Sequence, residues 1–200
     1  MTDDIVLSNR ILEQMAYVKM FRGKRVLYVN YHKLTSYFIE NTKGFIGNVF
    51  FEDYNGEDIL LFLKRFVQLY DIDSVIIPNE FKIFEDKNYE EITKIMKNLR
   101  SFAVKNKINI VLCGKARTID GNIQINSAIQ SKSKVIVADF VLSIENYKRR
   151  LFYKLFVEFS GNKLFILKDL KNREKTKYEK LLFKITPEEV ITFVKKLKTI

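Results

Sequence analysis

Hydrophobic residues in the first half of the chain follow two patterns that alternate along the sequence. One pattern has the spacing of an amphipathic helix, and it predicts helices at 8–21, 55–70 and 88–105. Ser8 and Asn55 are expected to cap the first two. The other pattern is a short run of apolar residues, and it predicts buried strands at 25–30, 48–52, 74–77 and 109–113. This alternation is typical of an α/β fold, a mainly parallel sheet flanked by helices.

The pattern changes after Gly114. Residues 114–134 are polar and basic and contain Gly, Ser and Asn, so we expect a long loop there. Apolar runs then follow each other closely, and their short connections predict antiparallel hairpin strands at 135–144, 150–159, 163–169 and 178–185. Thr186 and Pro187, with a Glu three residues after the Thr, form a helix start signal. It predicts a final helix from Pro187 to about Lys198.

A chain of 200 residues is long enough to bury one hydrophobic core, and it contains no internal repeat or obvious linker. We therefore interpret residues 1–200 as a single domain. Its parts are an α/β part (1–113), a basic loop (114–134) and a part with antiparallel strands and a C-terminal helix (135–200).

Composition narrows the classes of function. The net charge of +11 favours a polyanionic partner such as a nucleic acid, although a generally basic, solvated surface gives the same balance. No apolar run approaches the roughly 18 residues that span a bilayer, so no membrane segment is expected. One Cys and one His argue against a zinc site, and we expect no metal or cofactor. The lone Cys113 and an acidic N-terminus favour a reducing cytoplasm. Abundant Ile, Lys, Asn and Phe are compatible with a phage protein in its host's cytoplasm.

The order and spacing of several segments resemble the RecA-like core of DnaB-type replicative helicases and RadA/Sms-type recombination ATPases. The matching segments are 12–16 with Gly23 and 26–29 (the helix after the P-loop and the next strand), 73–77 (the Walker B strand), 99–103 with 109–112 (the next unit), 138–142 (the "AD-x-V-L" strand) and 167–173 (the "K-N-R" hairpin). The resemblance runs from about Ile11 to Ile185. It implies a RecA-like fold with C-terminal hairpin strands and a final helix.

The residues that bind and hydrolyse ATP in this family do not match. The sequence contains no G-x-x-x-x-G-K-[ST], and the equivalent stretch 6–10 has neither glycine nor lysine. By the resemblance, the Walker B Asp falls on Pro78, the catalytic Glu on His32 and the phosphate-sensing Gln on Lys115. Because phosphoryl transfer needs all four, we expect a pseudo-ATPase that is not an enzyme. Residues 4–7 are expected to fill the place of the P-loop strand.

Basic residues give the candidate DNA-binding sites. They are Lys115, Arg117, Lys132 and Lys134 in the loop, and Lys148, Arg149 and Arg150 at a hairpin turn. The resemblance implies that this loop lies where RecA-like proteins contact DNA, with single-stranded DNA favoured. Without an aromatic residue in the loop, contact would be mainly with phosphate. The alternatives are an ordinary loop and a solvated turn.

Lys171 and Arg173 match the family's "K-N-R" motif. The resemblance implies that they could reach into the ATP site of a neighbouring subunit, where positive charge stabilises the transferring phosphate. Glu174 stands where the family has glycine, and solvated charges at a hairpin end are the alternative interpretation.

These observations predict a non-catalytic accessory factor in DNA replication or recombination, which binds DNA or a helicase or recombinase partner. An oligomer-forming scaffold is an alternative. A metal-dependent nuclease is a second one, for which Glu80, Glu85 and Asp86 are the candidate ligands.

Overall fold

The computed structural model describes residues 5–29, 36–45, 47–78, 80–114, 117–119, 122–124, 137–138, 140–146, 163–172, 180–186 and 191–197. The chain divides into two compact units. The α/β unit comprises Ile11–Gly114 with Ile125–Ala138, and the antiparallel unit comprises Met1–Arg10, Lys115–Gln124 and Asp139–Ile200.

Four parallel strands form the centre of the α/β unit. In chain order its elements are the part of α1 (Ile5–Phe21) from Ile11 onwards, β1 (Val26–Val29), α2 (Ser36–Thr42), a 3-10 turn (Lys43–Phe45), β2 (Val49–Glu52), α3 (Ile59–Tyr70), β3 (Ser74–Ile77), α4 (Phe81–Phe84), α5 (Tyr89–Asn106) and β4 (Asn109–Leu112). The strands lie in the order β2-β1-β3-β4, and every neighbouring pair is parallel. The sequence-based prediction of a parallel sheet flanked by helices is therefore confirmed.

The two faces of the sheet pack against different helices. Because side chains alternate along a strand, Leu27 and Val29 point to one face, and Val26 and Tyr28 point to the other. The first face carries the larger core, formed with the following side chains of α3 and α5: Ile59, Phe62, Leu63, Phe66, Val67, Ile92, Met96 and Leu99. The second face packs against α1 and α2, through Leu12, Ala16, Met20 and Phe38.

Helix starts differ in part from the prediction. The helix predicted from Asn88 begins next to it, and Asn88 caps α5 in a capping box with Glu91. For α3 the cap is Asp58 and not Asn55: its carboxylate accepts the backbone N–H groups of Leu60 and Leu61. Both caps use an acceptor one residue before the first helical turn.

The predictions that residues 4–7 form a strand and that Ser8 caps α1 are wrong where the structure describes them. Helix α1 begins at Ile5, so Ile5–Leu7 are helical and Ser8 lies inside the helix. Between Ile5 and Ile11 no glycine or proline offers a point where a strand could turn into a helix, so the helical pattern extends towards the N-terminus.

The antiparallel unit contains a two-stranded and a four-stranded sheet. The strands are β5 (Arg117–Ile119), β6 (Asn122–Gln124), β7 (Phe140–Asn146), β8 (Lys163–Asn172), β9 (Lys180–Ile185) and β10 (Ile191–Leu197). The larger sheet has the order β10-β9-β8-β7, with all pairs antiparallel. The predicted hairpin strands are confirmed for 163–169 and 178–185 as far as the structure describes them, while the predicted strand 150–159 lies outside the described residues.

Three predictions in this region need correction. Residues 191–197 form β10 and not a helix, because β-branched Ile191 and Thr192 pair with β9 and this pairing overrides the local start signal. The loop 114–134 contains the β5–β6 hairpin, which the Asp120-Gly121 turn signal explains. Strand β7 begins at Phe140, and Val137 packs instead into the core of the α/β unit.

Candidate functional site

The carboxyl edge of the parallel sheet is the candidate site, because parallel α/β sheets bind ligands where their strands end. After β3 the chain continues through Pro78 to Glu80, and after β4 it continues through Cys113 to Gly114. The Cys113 amide donates to the Ile77 carbonyl at 2.9 Å, and the Glu80 amide donates to the Cys113 carbonyl at 3.2 Å. The two strand ends are therefore tied together just beyond the sheet.

The side chain of Glu80 lies directly on Gly114. A Cβ atom at position 114 would overlap Oε1 of Glu80, and Gly114 itself is buried. Only glycine leaves room for this side-chain position, so the close approach explains the glycine at the end of β4. As a result, a carboxylate occupies the edge of the sheet between β3 and β4.

A buried polar group lies on the α1 side of the same sheet. Glu13 of α1 is only 3% exposed, next to a core stripe formed by Leu12 and Ala16. Burial, followed by the charges of Glu13 and Cys113, raises the pKa of the Tyr28 phenol well above its ordinary value. Tyr28 therefore stays neutral, and its ring packs against Phe38 at a centroid distance of 5.9 Å.

Sequence reasoning did not find Glu13 or the Glu80–Gly114 contact. The sequence did contain a signal for Glu13. Leu12, Ala16 and Met20 form the buried stripe of α1, and residue 13 is next to this stripe, so its side chain faces the core. Val18 is also an apolar residue of α1, but it is 44% exposed. No local signal pointed to the contact between Glu80 and Gly114.

The metal site of the nuclease alternative receives no support from the described residues. No group of three His, Cys, Asp or Glu side chains in this part of the chain could hold a metal ion. Glu80 is half-buried against Gly114, while Glu85 and Asp86 follow α4 at the surface.

Only two of the basic residues predicted as sites lie in described segments. Arg117 belongs to β5, where its backbone is opposite Gln124, and Lys171 belongs to β8, where its backbone is opposite Val141. The others lie outside the described residues: Lys115, Lys132, Lys134, Lys148, Arg149, Arg150 and Arg173. His32 also lies outside them. The predicted roles of these residues stay predictions.

Comparison with known structures identifies the architecture. A KaiC-like protein from the hyperthermophilic archaeon Pyrococcus horikoshii OT3 superimposes with a TM-score of 0.66 at 14% sequence identity, covering 93% of this chain and 83% of that one. The fold is RecA-like. No protein-family model and no curated protein sequence matches the chain. At this identity the likeness shows the fold alone.

Within this RecA-like fold, the stretch that the resemblance aligns with the P-loop is helical. Residues 6–10 lie in α1. In an α-helix that begins at Ile5, the backbone N–H groups of Asn9 and Arg10 donate hydrogen bonds to carbonyl groups one turn earlier. These two N–H groups are therefore not free to bind a phosphate, whereas the backbone N–H groups of a glycine-rich loop are. Among the described helices, none is long and apolar enough to cross a membrane.

Proposed function

We propose that the chain is a RecA-like accessory protein of DNA replication or recombination that does not hydrolyse ATP. It acts by binding single-stranded DNA, or a helicase or recombinase ATPase, through surfaces of its fold. The observation that carries the proposal is the chemistry of the carboxyl edge, where Pro78 and the carboxylate of Glu80 follow β3.

Electrostatics explain why this edge is unsuited to ATP. A triphosphate needs amide donors, a lysine and an acid that holds magnesium. Here the acid lies against Gly114, where a carboxylate repels phosphate, and Pro78 has neither an amide donor nor a carboxylate. The sequence also lacks any glycine-rich phosphate-binding motif. The fold does not depend on Pro78 or Glu80, because neither residue belongs to the hydrophobic cores.

Nucleotide titration tests this part of the proposal. We expect the purified full chain to bind no fluorescent ATP analogue in the presence of magnesium, and to release no phosphate from ATP above a no-protein blank. Magnesium-dependent turnover that disappears on Glu80→Gln substitution, with the fold retained by circular dichroism, would overturn it.

Partner binding is tested separately. The net charge of +11 supports a polyanionic partner, whose binding should weaken steeply with salt. We expect a labelled single-stranded oligonucleotide to bind at low salt, or a replication or recombination ATPase to co-purify from the native cell. If neither occurs, the accessory role is wrong.

A scaffold function has one observation in its favour. On the outer face of α3, Leu61 and Leu69 are 65% and 67% exposed, and they lie two helical turns apart on one side. Exposed apolar side chains of this size suit contact between copies of the chain. Light scattering distinguishes this alternative, because a strict monomer at high concentration excludes it.

A further inference from the structure

The outer face of α5 carries a line of lysine side chains. Lys94, Lys97 and Lys105 are exposed, and steps of three and four residues through Ser101 connect them along one side of the helix. At 1.5 Å per residue, the line from Lys94 to Lys105 is about 16 Å long. The opposite side of α5 packs on the sheet through Ile92, Met96 and Leu99. These three lysines are called the α5 lysine face below.

Acidic side chains of α5 lie at the N-terminal end of the α5 lysine face, where Glu90 precedes Lys94 by four residues on the same side of the helix. The two acids of α5, Glu90 and Glu91, lie in its first turn, where Glu91 accepts the Asn88 amide at 2.9 Å. Across the whole stretch 92–119 the sequence has seven Lys or Arg and no Asp or Glu. Within the described residues, the ion pairs Lys24–Asp73, Arg25–Asp71 and Arg65–Glu57 involve none of the three lysines.

Helix stability accounts for only part of this arrangement. Lys105 lies in the last turn, where the helix dipole favours positive charge. Lys94 follows Glu90 by one turn, a favourable spacing. Lys97 has no acidic residue three or four positions away in the helix, and its like charge repels that of Lys94. A polyanion bound on the outside would offset this repulsion.

We propose that the α5 lysine face binds the phosphate backbone of single-stranded DNA. The inference rests on the DNA-binding part of the proposed function and names a surface for it, distinct from the loop and turn predicted from the sequence. A flexible ammonium group suits phosphate contact without fixed geometry. A line of about 16 Å is long enough to contact several consecutive phosphates of a single strand.

The neighbouring side chains define what kind of contact this is. Asn98 and Ser101 are exposed beside the lysines and can donate further hydrogen bonds to phosphate oxygens. The exposed residues of α5 between Lys94 and Lys105 include no aromatic side chain on which a base could stack. Binding through this face is therefore independent of base sequence and depends strongly on salt.

A matched pair of charge variants of the full chain tests the inference. Lys94→Gln with Lys97→Gln removes two charges from the face. Arg22→Gln with Lys43→Gln removes two charges from exposed residues next to α1 and α2, on the opposite side of the sheet. Binding of a fluorescein-labelled oligodeoxythymidine is followed by anisotropy between about 50 and 200 mM NaCl.

For the face variant we expect the slope of log K against log salt to become shallower by about 1.4, since each lost phosphate contact contributes about 0.7. Affinity near 50 mM NaCl should fall roughly 10- to 100-fold. The control variant should keep nearly wild-type affinity and slope. Lys94→Arg with Lys97→Arg keeps both charges, and it should bind as the wild type does.

Three results separate the inference from the function beneath it. If the wild type binds the oligonucleotide and the face variant binds it equally well, the α5 lysine face is wrong and DNA binding stands. An equal loss in face and control variants also overturns the face, because the attraction is then diffuse. If the wild type does not bind even at low salt, the DNA-binding part of the proposed function fails with it. Unchanged urea midpoints verify that each variant is folded.

Discussion

Asp73 connects the starts of β1 and β3 at the amino edge of the sheet, and its replacement is the most informative test of how the α/β unit is stabilised. Its carboxylate accepts the backbone amide of Arg25 at 2.9 Å and the ammonium group of Lys24 at 2.8 Å. Its own amide donates back to the Arg25 carbonyl at 2.9 Å. Asp73→Ala removes the two side-chain contacts and leaves the backbone bond.

The expected loss comes mainly from the Arg25 amide. A hydrogen bond to a charged group contributes about 1.5–3 kcal/mol when it is well shielded. The Asp73 side chain is 34% exposed, so water replaces part of that contribution, and an exposed ion pair such as that with Lys24 adds little. We therefore expect Asp73→Ala to lower the free energy of unfolding by about 1–2 kcal/mol, or the Tm by roughly 2–8 °C.

The pH dependence follows from the pKa of Asp73. Partial burial alone would raise this pKa, but the hydrogen bonds from Lys24 and the Arg25 amide, with the charges of Lys24 and Lys19, bring it below its ordinary value. A carboxyl group with a lowered pKa stabilises the fold above its unfolded-state pKa of about 3.9, and this stabilisation is lost as the pH falls through the folded-state value. The difference between wild type and Asp73→Asn should thus be constant from neutral pH to about pH 5 and shrink below about pH 4.

Urea unfolding of the full chain, followed by circular dichroism at several pH values, measures these differences. Asp73→Asn keeps an oxygen that accepts the Arg25 amide, so at neutral pH it should lose less than Asp73→Ala. An unchanged urea midpoint for Asp73→Ala would refute the reasoning. If Asp73→Asn lowers the free energy of unfolding by the same amount at low pH as at neutral pH, the charge of Asp73 is not the cause of the loss.

Three further predictions can be checked by the same urea titration. Ser74→Ala should raise stability by about 1 kcal/mol, because the buried Ser74 Oγ has no hydrogen-bond partner among the described residues; a loss of that size would indicate a missed partner. Phe62→Ala should cost about 3–5 kcal/mol, since Phe62 is 2% exposed and packs on Tyr54 and Phe66, whereas exposed Leu61→Ala should stay within about 0.5 kcal/mol. Gly114→Ala should cost less than Phe62→Ala, because the new methyl group displaces only the flexible end of a side chain; a comparable loss would mean that the backbone shifts as well.

The sequence predicted the central strands β1 and β3 well because both sides of these two strands are covered. Residues 74–77 were predicted as a strand and form β3 with the same bounds, and 109–113 contains β4. All four residues of β3 are buried, so an uninterrupted apolar run is what such a strand requires. The helix on each face could also be predicted, since its apolar stripe has the period of 3.6.

Errors arose where a local signal competed with pairing between distant segments. The Thr-Pro-x-Glu signal at 186–189 is a good helix start, yet β10 pairs with β9 over most of its length. The short helices α2 and α4 had too few turns to show a period and were not predicted. A periodic pattern reports only on residues that are close in the sequence, so it does not show the contacts with distant segments that determine these structures.

The candidate site was out of reach of sequence reasoning for a related reason. Glu80 and Gly114 are far apart in the chain and meet only because β3 and β4 are neighbours in the sheet. The resemblance to RecA-like ATPases directed attention to the end of β3, where it placed Pro78. It could not show that the next acidic side chain along the chain turns towards β4.

Strand β3 also explains how this fold can remain stable while the chemistry of its edge differs. Asp73 precedes the strand and Glu80 follows it, so the stabilising carboxylate and the candidate-site carboxylate stand at opposite ends. At roughly 3.3 Å per residue, the four residues between Asp73 and Pro78 span about 13 Å, more than the Debye length of about 8 Å at physiological salt. The strand itself is buried on both faces by cores that contain neither carboxylate. Side-chain substitutions at the carboxyl edge should therefore have little effect on the fold, because the side-chain interactions that hold β1, β3 and β4 together lie in the interior of the sheet and at its amino edge.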